Sequence, residues 1–231
     1  MRLVDAYTVT TQTLLRSVTS LNAPAKIIPN CLSQRLLEIY SLPPKRENKR
    51  ETHISYLSGT ATHMADFAEC RKALVTLLSE RPDVTLHIVG KLDLDDMLDQ
   101  GLGDQIRQHG LMPYDAMHEF LRTVDLNLAP LVDSSFNDAK SELKIFEAAL
   151  HEVPTIASPS AAYKAVINDG KNGYLARSHN DWHMALFAAV DNPEIRRTIG
   201  KAARADIVPL YTADLSAECL SEFLETLRAS K

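Results

Sequence analysis

The sequence predicts an α/β fold, a parallel sheet with helices on both faces, preceded by a short piece of a second domain. Three observations carry this. From residue 53 onward, β-prone runs alternate with segments whose apolar residues recur at helical spacing, the pattern of βαβ units. Several strand runs end in small or turn-forming residues, Ser58-Gly59, Gly90, Ala129-Pro130 and Ser158-Pro159. That is the carboxyl edge, where such sheets bind ligands. The opening segment holds too few elements to enclose a core.

The elements follow in order. Ala6-Tyr7-Thr8-Val9 is β-prone, Leu14, Leu15, Val18 and Leu21 have helical spacing, and Lys26-Ile27-Ile28 leads into Pro29-Asn30. Residues 1–30 are therefore expected to be the remnant of an N-terminal domain. Residues 31–52 are expected to be a linker ending in SLPPKRENKRET, whose proline and basic content suit solvated chain. Ile54 to Ser58 forms the next strand. A helix over 65–80 follows, with Phe67, Cys70, Leu74, Leu77 and Leu78 on one face. Pro82-Asp83 breaks it, and 84–89 is a strand ending in Gly90. Helix 114–123, strand 124–130, helix 141–151, strand 154–157, a short helix over 160–167 and strand 173–176 complete the alternation. Helices near 179–190, 193–206 and 212–229 close the chain. The main domain is expected over 53–207, with 208–231 packing back across the remnant.

Composition narrows the function. With 25 basic and 30 acidic residues the formal charge is −5, which argues against broad nucleic-acid binding. The longest apolar run, 184–190, is far below the roughly 18 residues of a membrane span. The first residues lack a basic segment followed by an apolar one, so no secretory signal is expected. Cys31, Cys70 and Cys219 are scattered with no CxxC, which suits reduced thiols and a cytoplasmic setting. The histidines have no metal-ligand spacing, so no metal and no cofactor are expected; His63 and His151, nearest the carboxyl edge, read as surface residues. No GxSxG or Cys/His pair marks a nucleophile. No GxGxxG follows a strand, which argues against a nicotinamide enzyme.

Three segments could carry chemistry. Ser58-Gly59-Thr60-Ala61-Thr62-His63 joins a strand to a helix. Glycine allows close backbone approach and a helix start favours anions, but an ordinary βα turn has the same composition. Lys140, Lys144 and Glu147 are spaced to share one helical face, with Leu143, Phe146 and Leu150 on another. A surface Lys–Glu pair satisfies that spacing. So does a binding site in which the carboxylate accepts two hydroxyls of a sugar ring. Asp169-Gly170 and Asn172-Gly173 read as structural turns.

Together these pieces resemble the C-terminal half of a GT-B-fold retaining glycosyltransferase of group 1 (family 4), over residues 5 to 229. The carriers are Ile28-Pro29-Asn30, Ser58-Gly59-Thr60, Leu86-His87-Ile88-Val89-Gly90, His109 to Tyr114 and Asp125 to Pro130. The most specific are Lys144-Ile145-Phe146-Glu147-Ala148 through Val153 to Ser158, then Ile167 to Leu175. The resemblance implies a Rossmann-like domain that binds a nucleotide-diphosphate sugar. It places Glu147 on the ribose, and Met112, Pro113 and Tyr114 by the base. Gly59, Thr60 and the segment before the helix surround the diphosphate and sugar, with Lys140 and Lys144 near the phosphates. It implies transfer with retention and without metal, because amides, a helix start and basic side chains stabilise the leaving diphosphate. The implied acceptor is a sugar or lipid-linked group in surface polysaccharide or glycoconjugate synthesis, at the cytoplasmic side and peripheral to the inner membrane face. The missing N-terminal half would be supplied by a longer chain or a partner.

The sequence departs from that pattern at three places. The first of two glutamates usually eight positions apart is replaced by Ala139, leaving a Lys-x-x-Glu variant, Lys144 to Glu147. The usual Arg and Lys after the first glycine are absent from Thr60-Ala61-Thr62-His63-Met64. Glu152 stands where a glycine usually ends the motif helix; a positive φ there would cost about 1–2 kcal/mol. The alternative is a non-catalytic, glycosyltransferase-like interaction module with a degenerate site.

Overall fold

Two parallel sheets are formed, and the chain's carboxyl-edge loops gather beside the junction between them. The computed structural model describes residues 4–21, 23–44, 51–59 and 64–229. Strand β1 (Tyr7–Val9), helix α1 (Gln12–Val18) and strand β2 (Ala25–Ile27) make a small parallel βαβ unit. Thr11 caps α1 by accepting from the Leu14 N–H at 3.3 Å.

The stretch expected as linker instead carries helix α2 (Gln34–Ile39), capped by Ser33. Leu32, Leu36 and Tyr40 are buried in the core. Their spacing of four is helical, but the helix is only six residues long and lies beside the polar, proline-containing 41–52 stretch, so the pattern is short in the sequence.

The main domain then alternates: β3 (Thr52–Gly59), α3 (Met64–Glu80), β4 (Val84–Gly90), α4 (Asp95–Leu98), β5 (Ile106–His109) and α5 (Tyr114–Leu121). Next come β6 (Leu126–Ala129), α6 (Ser135–Asp138), α7 (Leu143–Ala149), β7 (Thr155–Ala157), α8 (Ala161–Val166) and β8 (Tyr174–Leu175). Helices α9 (His179–Asp191), α10 (Pro193–Ile207) and α11 (Ala213–Ala229) end the chain. The sheet is parallel throughout, in the order β5-β4-β3-β6-β7-β8. Strand order reverses between β3 and β6, so the ligand crevice lies beyond their carboxyl ends.

Alternation along β3 builds both faces. Ile54 and Tyr56 join the cluster with Phe67 and Leu74 of α3 and Trp182 and Leu186 of α9. Leu57 faces the other way, toward Leu121 and Ala148. Helices on both faces follow, as the sequence predicts. Strand β5 and helices α4 and α6 were not legible. β5 reads Ile-Arg-Gln-His with one buried residue, because it is the sheet edge. Helix α7 begins at Leu143, so Lys140 lies before the helix rather than on the face it was expected to share.

The small βαβ unit is tied to the main domain by a few polar contacts. Thr11 Oγ1 donates to the Ala139 carbonyl at 3.1 Å, and Asn30 Nδ2 to Ser141 Oγ at 2.8 Å. The Leu32 N–H donates to the Tyr211 carbonyl at 2.8 Å and Ser216 of α11 to the Pro29 carbonyl at 3.3 Å. Neither α1 nor α11 contributes a buried residue.

Candidate functional site

The site is centred on Glu147, in the middle of α7 beside the switch point. Burial of Ile145, Phe146, Ala148 and Ala149 fixes the helix, and this holds the Glu147 carboxyl 3% exposed. Its Oε1 is buried with no hydrogen-bond partner. Burial pushes its pKa up to about 7, opposed by a hydrogen bond from the Tyr114 hydroxyl and by the charge of Lys144. A buried acceptor oxygen left unpaired costs free energy that a ligand hydroxyl would recover.

Tyr114 opens α5 directly after Pro113, which puts its hydroxyl over Glu147 while the ring stays half exposed. Burial raises the Tyr114 pKa, and Glu147 adds to the rise, so the phenol stays a donor. The Met112 side chain turns inward and packs on the cluster of Leu57, Val89 and Val153.

Lys144 lies one turn before Glu147 with its Nζ 5.1 Å from the centre of the Tyr56 ring. Burial, together with the neighbouring charge of Lys140, lowers its pKa to about 8, with Asp66 and Glu147 opposing. It is still largely protonated at neutral pH. Lys140 therefore stays close to Lys144 although it lies off the helix. Its ammonium is 3.2 Å from Asp66 Oδ2. Asp66, 5% exposed at the start of α3, also accepts from the Val132 N–H at 3.0 Å and Asn137 Nδ2 at 2.8 Å. One carboxylate thus pins the whole 132–140 segment that leads into α7. Sequence spacing gave no sign of Asp66.

Gly59 ends β3, paired opposite Gly90. Thr60 to His63, the remainder of the proposed phosphate cradle, lie outside the described residues. A cleft of about 660 Å³ opens beside the site, between Thr8, Val9 and Thr10 of the small unit, the 28–31 segment and Leu143.

Two histidine groups lie in this domain, and the sequence signalled neither. His151 is fully buried rather than on the surface, with Nε2 2.9 Å from His118 Nδ1. The Tyr114 ring packs edge-on against His118 at 4.7 Å. His53, His87 and His109 form a ladder across three strands, with nitrogens 3.0 Å apart at each step. Partners more than twenty residues apart in the chain leave no local pattern.

Comparison with known proteins accords with this geometry. A family model described as glycosyl transferases group 1 matches residues 57–192. A phosphatidyl-myo-inositol mannosyltransferase of Mycobacterium leprae is 28% identical over 186 residues, covering 75% of this chain and 48% of that protein. Among solved structures, S. aureus TarM in complex with fondaparinux, α-GlcNAc-glycerol and UDP aligns with a TM-score of 0.75 at 18% identity. That alignment covers 95% of this chain and 44% of TarM. The pneumococcal O-GlcNAc transferase GtfA, in complex with UDP and GlcNAc, aligns at 0.70 and 16% identity, over 98% of this chain and 45% of GtfA. The chain thus spans about half the length of the relatives it matches.

Proposed function

Because the chain belongs to the group 1 glycosyltransferases, we propose that it is the donor-binding half of an enzyme that moves a sugar from a nucleotide-diphosphate sugar to an acceptor. The observation that carries this is the unpartnered, buried Glu147 Oε1. A ribose hydroxyl supplies the donor that Oε1 lacks, beside the hydrogen bond that Tyr114 already gives the carboxyl. In this reading Tyr114 fixes the carboxyl beneath the ribose, Pro113 and Tyr114 flank the base, and Gly59 and Thr60 border the diphosphate. Lys144 is the main countercharge for the leaving diphosphate, since Lys140 is held by Asp66. Transfer proceeds with retention and without a metal ion, using fixed positive charge to stabilise the departing group.

The acceptor, a sugar or lipid-linked group, enters through the cleft beside Leu143. The other half of the fold, from a longer chain or a partner, covers α1 and α11 and extends the β1–β2 pair. Two features support that: neither helix has a buried residue, and the matched mannosyltransferase is about twice the matched length. The setting is cytoplasmic, peripheral to a membrane that carries the acceptor.

Calorimetric titration with UDP, GDP and ADP tests this. One nucleotide should bind, and Glu147→Ala should weaken it by about tenfold or more, as expected for loss of charge-assisted hydrogen bonds. A folded chain that binds none of them would support the second reading, a degenerate interaction module. That reading is favoured by Ala139 at the usual glutamate position, its carbonyl taken by Thr11.

A further inference from the structure

A second pocket, of about 270 Å³, has none of Glu147, Lys144 and Tyr114 in its lining. It sits at the carboxyl ends of β6 and β7, between α3, the 131–138 segment, the 158–160 turn and residue 177. Five charged side chains line it: Glu69, Asp133 and Asp138, with Lys164 and Arg177. Among the described residues none of these five has an ion-pair partner. Glu69, Asp133, Lys164 and Arg177 are exposed and Asp138 accepts from the Ala161 N–H at 3.3 Å, so opposite charges face one small pocket without pairing across it.

That arrangement selects a ligand. Three carboxylates and two cations leave the lining one negative charge in excess, which disfavours a simple anion. A metal ion is disfavoured too, since no group of three His, Cys, Asp or Glu side chains converges on one among the described residues. A ring carrying hydroxyls on all sides suits both walls, because each hydroxyl donates to a carboxylate and accepts from a cation. Ser158 and Ser160 add hydroxyls to the lining, and Leu131 and Pro159 offer apolar surface for the C–H face of such a ring. The volume is close to the lower limit of small-ligand pockets, ~300 Å³, the scale of one sugar unit.

We infer that this pocket is a subsite for a neutral saccharide unit, separate from the nucleotide site. The inference rests on the glycosyl-transfer reading for the source of the saccharide, a glycan that the enzyme extends; the pocket's affinity for sugars is independent of it. The two sites share one support. Asn137 lines the pocket and donates to Asp66 Oδ1, while Lys140 binds Oδ2 of the same carboxylate. A sugar unit in the pocket braces the segment that leads to Lys144 and Glu147.

Saturation-transfer NMR on the 231-residue chain tests this with methyl α-mannoside, methyl α-glucoside, N-acetylglucosamine and glucuronic acid, and with UDP in a separate titration. At least one neutral sugar should saturate, more tightly than glucuronate, and saturating UDP should not displace it. The double variant Asp133→Ala/Arg177→Ala should weaken it by about tenfold, the worth of a charge-assisted hydrogen bond. UDP binding and the melting temperature should be unchanged in that variant. The inference is overturned if no neutral sugar saturates, if glucuronate binds tightest, if UDP displaces the sugar, or if the double variant binds like the parent. Sugar binding without UDP binding would sink the donor-site reading and leave the pocket standing; UDP binding without sugar binding would do the reverse.

Discussion

Glu152 and Gly200 meet backbone to backbone. Among the described residues Glu152 is the only non-glycine with positive φ, at 56°. A Cβ on Gly200 would fall 2.9 Å from its carbonyl carbon. The turn after α7 and the helix α10 close on each other with no side chain between them. The resemblance placed a glycine at position 152, and the backbone there does adopt the left-handed conformation that favours one.

This contact gives opposite predictions for its two residues. Glu152→Gly relieves about 1–2 kcal/mol of left-handed strain and gives back part of that as glycine's entropy, about 0.5–1 kcal/mol. A stabilisation of up to about 1 kcal/mol is expected. Gly200→Ala forces α10 off the turn and should cost about 1–3 kcal/mol or more. Urea midpoints of the two variants against the parent decide it; unshifted midpoints would show that the turn relaxes freely.

Glu147 predicts a stability cost tied to binding. Its pKa is about 7 in the fold against 4.5 for the ordinary carboxyl. Below pH 4.5 both states hold the proton. Between 4.5 and 7 the unfolded chain ionises while the folded one does not, so stability falls as pH rises through that window and is level above it. Glu147→Gln removes the penalty and should gain on the parent across the window, by up to about 3 kcal/mol at pH 8. The same variant should lose nucleotide affinity, since an amide cannot accept from two hydroxyls on both atoms. Urea melts at pH 4.5 and 8 would expose an unperturbed carboxyl: the difference between parent and variant would then not change with pH.

The histidines predict an acid limb of opposite slope. Burial lowers the pKa of His87 and of His118 from 6.5 to about 4; the like charges of His53 and His109 assist at His87. As pH falls below 6.5 the unfolded chain takes up protons that the folded chain refuses, so stability is lost until about pH 4. His87→Gln can still donate and accept within the ladder but does not titrate. It should flatten the fall between pH 7 and 4.5. A fall as steep as the parent's would assign the acid loss to other groups.

What the sequence disclosed follows its hydrophobic pattern. β3, β4, β6 and β7 are central strands, and their apolar runs mark them; β5, with Arg107, Gln108 and His109, is an edge and reads as loop. Lys144 and Glu147 stood out because they are one helical turn apart with Ile145 and Phe146 between them. Tyr114, His118 and Asp66 meet their partners only after βαβ crossovers bring distant loops to one edge. No spacing encodes that. Lys140 falls outside α7 although its spacing to Lys144 and Glu147 is helical, because Asp66 and Asn137 hold the backbone in a turn until Leu143.

Asp66 gives the last prediction. It is buried, yet it serves a backbone N–H, an amide and an ammonium from three points of one loop. Asp66→Asn keeps the shape but offers a single acceptor oxygen, and its own amide N–H groups face donors. Lys140 then loses its countercharge. Breaking a largely buried pair costs about 3–5 kcal/mol when the remaining charge stays buried. Lys140 can turn toward solvent, so about 2 kcal/mol is expected here. The effect should be local: amide exchange should quicken across 132–142 and not in β3 or β4, and nucleotide affinity should fall although Asp66 does not touch the carboxyl of Glu147. The second change Lys140→Met should restore part of the stability, since it removes the stranded charge. Uniformly faster exchange over the whole domain would mean that Asp66 supports the fold at large rather than the loop that presents α7.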